Sequence, residues 1–220
     1  MAYVECPVCG TENFFNETAK RVCCWCDANL EHANIENLRY EKEQREAEYP
    51  KITGDHTMNI LKITKENRAQ YENTEIVFDG HVELEADLGW FVTKSIKAKG
   101  YIFGSAGTGI VAGTGIEAGE GIVAGTGIKA GWGIKAGTGI KAGDGIVAGE
   151  GIEAGWGIVA GEGIEAGTGI KAGFSIHAKF ISVSFRIFAG LCNWRMPEEA
   201  EQQICAEVRN GIVACGKVIN

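Results

Sequence analysis

Residues 127–143 read GIKAGWGIKAGTGIKAG. A six-residue unit, G-I-K-A-G-x, repeats there without a break. Successive side chains of an extended strand point to opposite sides, so each isoleucine and the alanine two places on share a face. That face is apolar and belongs inside; the lysine between them points out. The Gly-x-Gly that follows reads as a corner, where the glycines are expected to turn the backbone through positive φ. A strand this short, then a corner, then the same strand again, describes the coil of a solenoid.

The unit extends well beyond the quoted stretch. Isoleucine recurs every six residues from Ile110 to Ile176, and alanine two places on from Ala112 to Ala178. Upstream the rhythm is ragged: Ile76, Val82 and Leu88 are six apart, and so are Ile96 and Ile102, with slips of two residues before and after that pair. The outward residues decide how many units make one turn, because stacked strands bring them within about 4.8 Å of one another. An offset of twelve stacks Lys129 on Lys141 and is disfavoured. An offset of eighteen builds the alternating column Glu117, Lys135, Glu153, Lys171, and an offset of twenty-four the shorter Glu117, Lys141, Glu165. These charges exclude two units per turn better than they separate three from four; the longer column, and the three-sided build of the hexapeptide families that the repeat resembles, favour three. The expected fold is therefore mainly β, a three-sided single-stranded β-helix with four regular turns and about two more from the ragged start.

Composition narrows the class. The 220 residues carry a formal charge of −8, from 29 acidic and 21 basic side chains, which argues against a general binder of phosphate backbones. Glycine, at 32, is about double its usual share, while three prolines exclude collagen. No apolar window of membrane-spanning length occurs, and the N-terminus has neither the basic patch nor the apolar stretch of a signal peptide. A cytoplasmic protein is expected, and its eight cysteines then read as metal ligands or buried thiols rather than disulfides.

Four of those cysteines form two knuckles. Cys6-Pro-Val-Cys9-Gly10 is followed, thirteen residues on, by Cys23-Cys24-Trp25-Cys26. Two residues between cysteines let one tight turn offer two thiolates to one ion, and two such turns complete a tetrahedron around Zn2+. A closed shell of Cys6, Cys9, Cys23 and Cys26 leaves no position for water, so the zinc is expected to be structural. About 30 residues cannot bury a self-sufficient core, and zinc binding supplies on the order of 10–16 kcal/mol in small fingers. Residues 1–30 resemble the zinc ribbon, or rubredoxin-like knuckle, family, whose members bind nucleic acid, bind proteins or cap a chain. Cys24, inside the second knuckle, departs from that pattern. The stretch LEHANIENLRYEKEQREAEY, residues 30–49, reads as a charged linker helix stopped by Pro50, which places a linker domain at 31–54.

The rod domain is expected over 55–190 and a C-terminal cap over 191–220. In the cap, PEEAEQQICAEVR, residues 197–209, reads as a short helix with proline at its start and acids in its first turn, ended by Asn210-Gly211. Such a cap would close the open end of the coil and prevent head-to-tail growth. Cys192, Cys205 and Cys215 have no metal spacing and read as buried thiols.

Little on the rod points to chemistry. Hexapeptide β-helices that act as acyltransferases or as gamma-class carbonic anhydrases need histidines at a working edge. Here only His81 and His177 fall within the repeats, one near each end, and both are expected as surface or cap residues. The corner positions of Trp132, Trp156 and Phe174 are expected to expose their rings, either as cover over glycine-rich corners or as a protein-contact site. The strings of hexads with glycine corners, about residues 76–178, resemble the bactofilin-like, polymer-forming cytoskeletal group. That resemblance implies a rod that acts as a scaffold and joins end to end without nucleotide. The function expected from all this is a non-enzymatic scaffold or protein-interaction protein with a protein partner, open to self-association. Nucleic acid would enter only through the zinc ribbon, and no membrane is involved. The alternatives are a phage or mobile-element protein that blocks a host nucleic-acid-handling complex, and, behind it, an acyltransferase-like enzyme.

Overall fold

The structure, a computed structural model, describes residues 2–5, 12–15 and 59–219. The chain divides into two compact units, Met1–Thr57 and Met58–Asn220. In the first, the strand Ala2–Glu5 pairs antiparallel with Glu12–Phe15, Glu5 opposite Glu12. The expected zinc ligands Cys6, Cys9, Cys23 and Cys26 and the expected helix over 31–54 lie outside the described residues.

The second unit is a parallel β-solenoid of about nine turns, with repeats about 18 residues apart. The register is the one the charge column selects: Lys135 lies opposite Glu117 on one side and Glu153 on the other, and Glu153 opposite Lys171. Three faces result. The first starts with Glu75–Phe78 and Ser95–Ala98 and continues through Ile116, Ile134, Ile152 and Ile170 to Ile187 and Val213. The second starts with Asn59–Ile63 and Gly80–Leu84 and continues through Ile102, Ile122, Ile140, Ile158, Ile176 and Ile204 to Val218. The third starts with Gly89–Thr93 and continues through Ile110, Ile128, Ile146, Ile164 and Ile181 to Val208. At about 4.8 Å per strand the stack is about 40 Å long, three turns more than the hexads alone announce.

The interior is the predicted one. From Ile96 to Ile204 the inward isoleucines are 0–2% exposed, and the alanines beside them from Ala98 to Ala172 are buried too, while Ala178 is half-buried. Each isoleucine contributes about 1.5–3 kcal/mol by leaving water, turn after turn. The corners work differently from the expectation. Among the described residues the glycines with positive φ are Gly89, Gly107, Gly190, Gly211 and Gly216, and no regular corner is among them. Close approach is what those corners require. A Cβ on Gly137 would sit 1.9 Å from the Gly119 carbonyl oxygen one turn below, and one on Gly149 would sit 2.0 Å from that of Gly131. Only hydrogen fits between turns stacked this tightly.

The C-terminal segment corrects the sequence reading. Ile176–Phe188 is one thirteen-residue strand that wraps all three faces, setting Ile176 on Ile158, Ile181 on Ile164 and Ile187 on Ile170. The helix expected over 197–209 is absent: a single 3-10 turn, Ala200–Gln202, leads into a second thirteen-residue strand, Gln203–Cys215. Ile204 and Val208 are four apart, which suits a helix, but the same spacing crosses one corner of the coil. Stacked on the preceding turn they meet Ile176 and Ile181 and complete a ladder of backbone hydrogen bonds, and that template overrides the local helical pattern. The acids do other work: Glu201 pairs with Arg195, and Glu199 with Lys217 at 3.0 Å. Lys217–Ile219 adds a further strand. In this last described turn Val208 and Val213 are half-buried and Val218 is 38% exposed, whereas Ile204 beneath it is fully buried.

Candidate interaction surface

The outward residues of the first face form a ladder along the rod: Val77, Lys97, Glu117, Lys135, Glu153, Lys171, Phe188. Stacking fixes their spacing, and their charges alternate. Lys97 and Glu117 approach to 2.9 Å, and so do Glu153 and Lys171. The Lys171 amine, hydrogen-bonded to Glu153, holds that carboxyl below its ordinary range, with Lys135 adding to the effect and burial opposing it. Lys135, between the two pairs, makes no ion pair among the described residues. The face carries a shallow groove of about 940 Å3 that runs from Glu75 to Leu191.

One wall of the groove is a corner column. Backbone bonds from Thr114 to Lys94, Trp132 to Thr114, Glu150 to Trp132, Thr168 to Glu150 and Phe185 to Thr168 stack these residues in single file. Trp132 is 59% exposed and Phe185 65%. Three turns separate them, about 14 Å.

The three aromatic residues expected to be exposed thus separate. Trp132 is exposed on the groove wall. Trp156 is half-buried on a different corner, in file with Thr138 and Phe174. Phe174 is buried, which corrects the expectation: the loop after Phe188 folds back so that Trp194 meets its ring edge-on at 5.9 Å and Arg195 lies 4.6 Å above it. Exposed Phe185, Trp194 and Met196 were missed, because they fall where the hexad rhythm has stopped and the phase can no longer be counted.

Lys129, Lys135 and Lys141 are all exposed, and each is the outward residue of its own face in a single turn. The stretch that reveals the fold therefore writes a belt of lysines around the middle of the rod. Lys129 covers the Trp90 ring at 4.7 Å.

The two rod histidines are not simple surface groups. His177 is buried, its Nε2 2.9 Å from the Ser175 hydroxyl. His81 stacks on Tyr101 with centroids 4.0 Å apart and accepts a hydrogen bond at Nδ1 from the Tyr101 amide. The Tyr101 hydroxyl donates to Glu83 at 2.6 Å; that bond, aided by burial and by the negative charge of Glu83, pushes the phenol up to about 12. No three His, Cys, Asp or Glu side chains converge on a metal position among the described residues, and no helix there is long and apolar enough to cross a membrane.

No protein-family model matches the chain, and searches of curated proteins and of solved structures give no significant match.

Proposed function

We propose that the protein is a non-enzymatic scaffold, a rigid rod that holds other protein surfaces at fixed spacing. The first face carries this reading: seven ladder positions in strict register, a groove along them, and an exposed tryptophan on its wall. Exposed tryptophan is costly on a soluble surface and is favoured at the centres of protein contacts. Two ion pairs, Lys97–Glu117 and Glu153–Lys171, hold the ladder in order, and exposed Lys135 between them is presented to a partner. Ahead of the rod, Cys6, Cys9, Cys23 and Cys26 hold a structural zinc in a ribbon, and the pairing of the strands that flank Cys6 and Cys9 in sequence fits such a knuckle.

The finer reading is a bactofilin-like rod that associates with itself. It draws on the hexads with glycine corners, which the bactofilin-like group shares. The test compares proteins retained by immobilised wild type and by Trp132→Ala, both at matched thermal stability, by quantitative mass spectrometry. The scaffold reading expects a discrete set retained by the wild type and reduced at least about tenfold by the substitution. Identical recovery, or saturable binding of coenzyme A in calorimetry, would sink it.

A further inference from the structure

We propose that the first face docks onto the first face of a second copy, with the two rods antiparallel and the two-fold axis passing between the rungs of Lys135 and Glu153. The inference rests on the reading of this face as an interaction surface and names its occupant.

The argument is one of register. Turning a rod end over end about an axis in the plane of the face, perpendicular to the rod, reverses the order of the rungs and keeps each corner column opposite itself. With the axis midway between Lys135 and Glu153, Lys135 meets Glu153 of the second copy, Glu117 meets Lys171, and Lys97 meets Phe188. Symmetry repeats each pair, giving four ion pairs and two cation–aromatic contacts. Lys135, which makes no ion pair among the described residues, gains a carboxylate. An axis on a rung instead of between rungs would set Lys against Lys and Glu against Glu, so the ladder excludes every second register.

The corner column, which has its own sequence, fits the same axis. Trp132 falls opposite Glu150, where an indole N–H can donate to a carboxylate. Thr114 falls opposite Thr168, and Lys94 opposite Phe185, a cation over an exposed ring. Moving the axis one rung toward the N-terminus, between Glu117 and Lys135, also opposes unlike charges, Glu117 with Lys135 and Lys97 with Glu153, but leaves Phe185 and Phe188 uncovered. Covering both rings is what favours the placement between Lys135 and Glu153 over its neighbour.

Magnitude sets the kind of complex. Six rungs at about 4.8 Å and a face about 18 Å wide offer about 500 Å2 per copy, below the ~800 Å2 typical of a stable interface. The dimer is therefore weak, concentration-dependent and loosened by salt, since its pairs lie near solvent. Because the contact is isologous it closes at two copies.

The test uses the full-length protein in sedimentation equilibrium over a wide concentration range. Wild type is expected to reach a dimer and no further, with dissociation increased at least about tenfold by molar salt. Lys135→Glu alone sets carboxylate against carboxylate, and Glu153→Lys alone sets amine against amine, so each single variant should be monomeric. Mixed together, these two variants oppose only unlike charges across the axis and should form a heterodimer. Circular dichroism and melting check that both variants keep the rod. A wild type that stays monomeric, single variants that associate as the wild type does, or a mixture that fails to restore the dimer would each overturn the inference. Mass that climbs without limit and ignores both substitutions would place self-association at the rod ends and leave the scaffold reading standing.

Discussion

Lys171 reaches the carboxylate of Glu153 across one turn of the coil, Nζ to Oε1 2.9 Å, although eighteen residues separate them in the chain. The contact exists because three hexads make a turn. Both side chains are about half exposed, so the pair contributes no more than about 1 kcal/mol. Glu153→Lys would place a third amine in file between Lys135 and Lys171, and is expected to cost about 1 kcal/mol in urea unfolding, with Lys171→Glu in the same chain recovering part of it. Acid supplies a second readout. The Glu153 carboxyl is lowered in the folded protein, chiefly by its bond from Lys171. Its contribution is therefore present above the ordinary carboxylate range and lost as pH falls through the lowered value. The stability difference between wild type and Glu153→Gln should be present at about pH 7 and shrink as pH falls below the ordinary carboxylate range.

The two glycines of one corner should behave differently. A Cβ on Gly137 would lie 1.9 Å from a backbone oxygen of the turn below, which cannot yield without opening the stack. A Cβ on Gly139 would lie 3.3 Å from the Gly157 oxygen, a contact that a shift of a few tenths of an ångström relieves. Gly137→Ala is expected to cost more than about 3 kcal/mol and Gly139→Ala less than about 1 kcal/mol. Thermal melting of the two variants decides it; equal losses would mean that close approach is not what selects glycine here.

The difference between those glycines shows what was legible in the sequence. The number of faces could be read because the offset of eighteen builds the longest alternating column, Glu117, Lys135, Glu153 and Lys171, and because the hexapeptide families that the repeat resembles are three-sided. The inward Ile and Ala could be read because a strand has period two. The reason for the glycines could not, because spacing marks a corner without saying whether it needs positive φ or merely the absence of a side chain. The C-terminal strand Gln203–Cys215 was misread for a related reason: its fold comes from the turn beneath it, and PEEAEQQICAEVR carries a locally sound helical pattern. Phe174 was misplaced because its cover, Trp194 and Arg195, returns from a loop with no rhythm to count.

Tyr101 offers a spectroscopic check on the second face. Its phenol is pushed up to about 12 by the hydrogen bond to Glu83. A folded value above the ordinary one of about 10 means that the neutral phenol is favoured in the native state. Its contribution is complete below about pH 10 and is lost as pH rises through about 12. In ultraviolet titration of the phenolates, the absorbance lost on Tyr101→Phe should be the high-pH part of the curve. Glu83→Gln should move that part toward the ordinary range. A Tyr101 component that already titrates near pH 10 in the wild type would show that the bond does not persist in solution.

The metal can be tested apart from the rod. If Cys6, Cys9, Cys23 and Cys26 close a tetrahedral shell, the protein as purified should contain one zinc per chain by elemental analysis. Cys6→Ser or Cys23→Ser should release it, while Cys24→Ser should retain it, since Cys24 breaks the two-residue spacing that offers two thiolates from one turn. A strong chelator should remove the metal and leave the main melting transition in place, because the solenoid core from Ile63 to Ile204 lies within a compact unit of its own. Loss of zinc from Cys24→Ser would reassign the second knuckle. Loss of the rod transition on chelation would mean that the metal stabilises far more than the 30 residues around it.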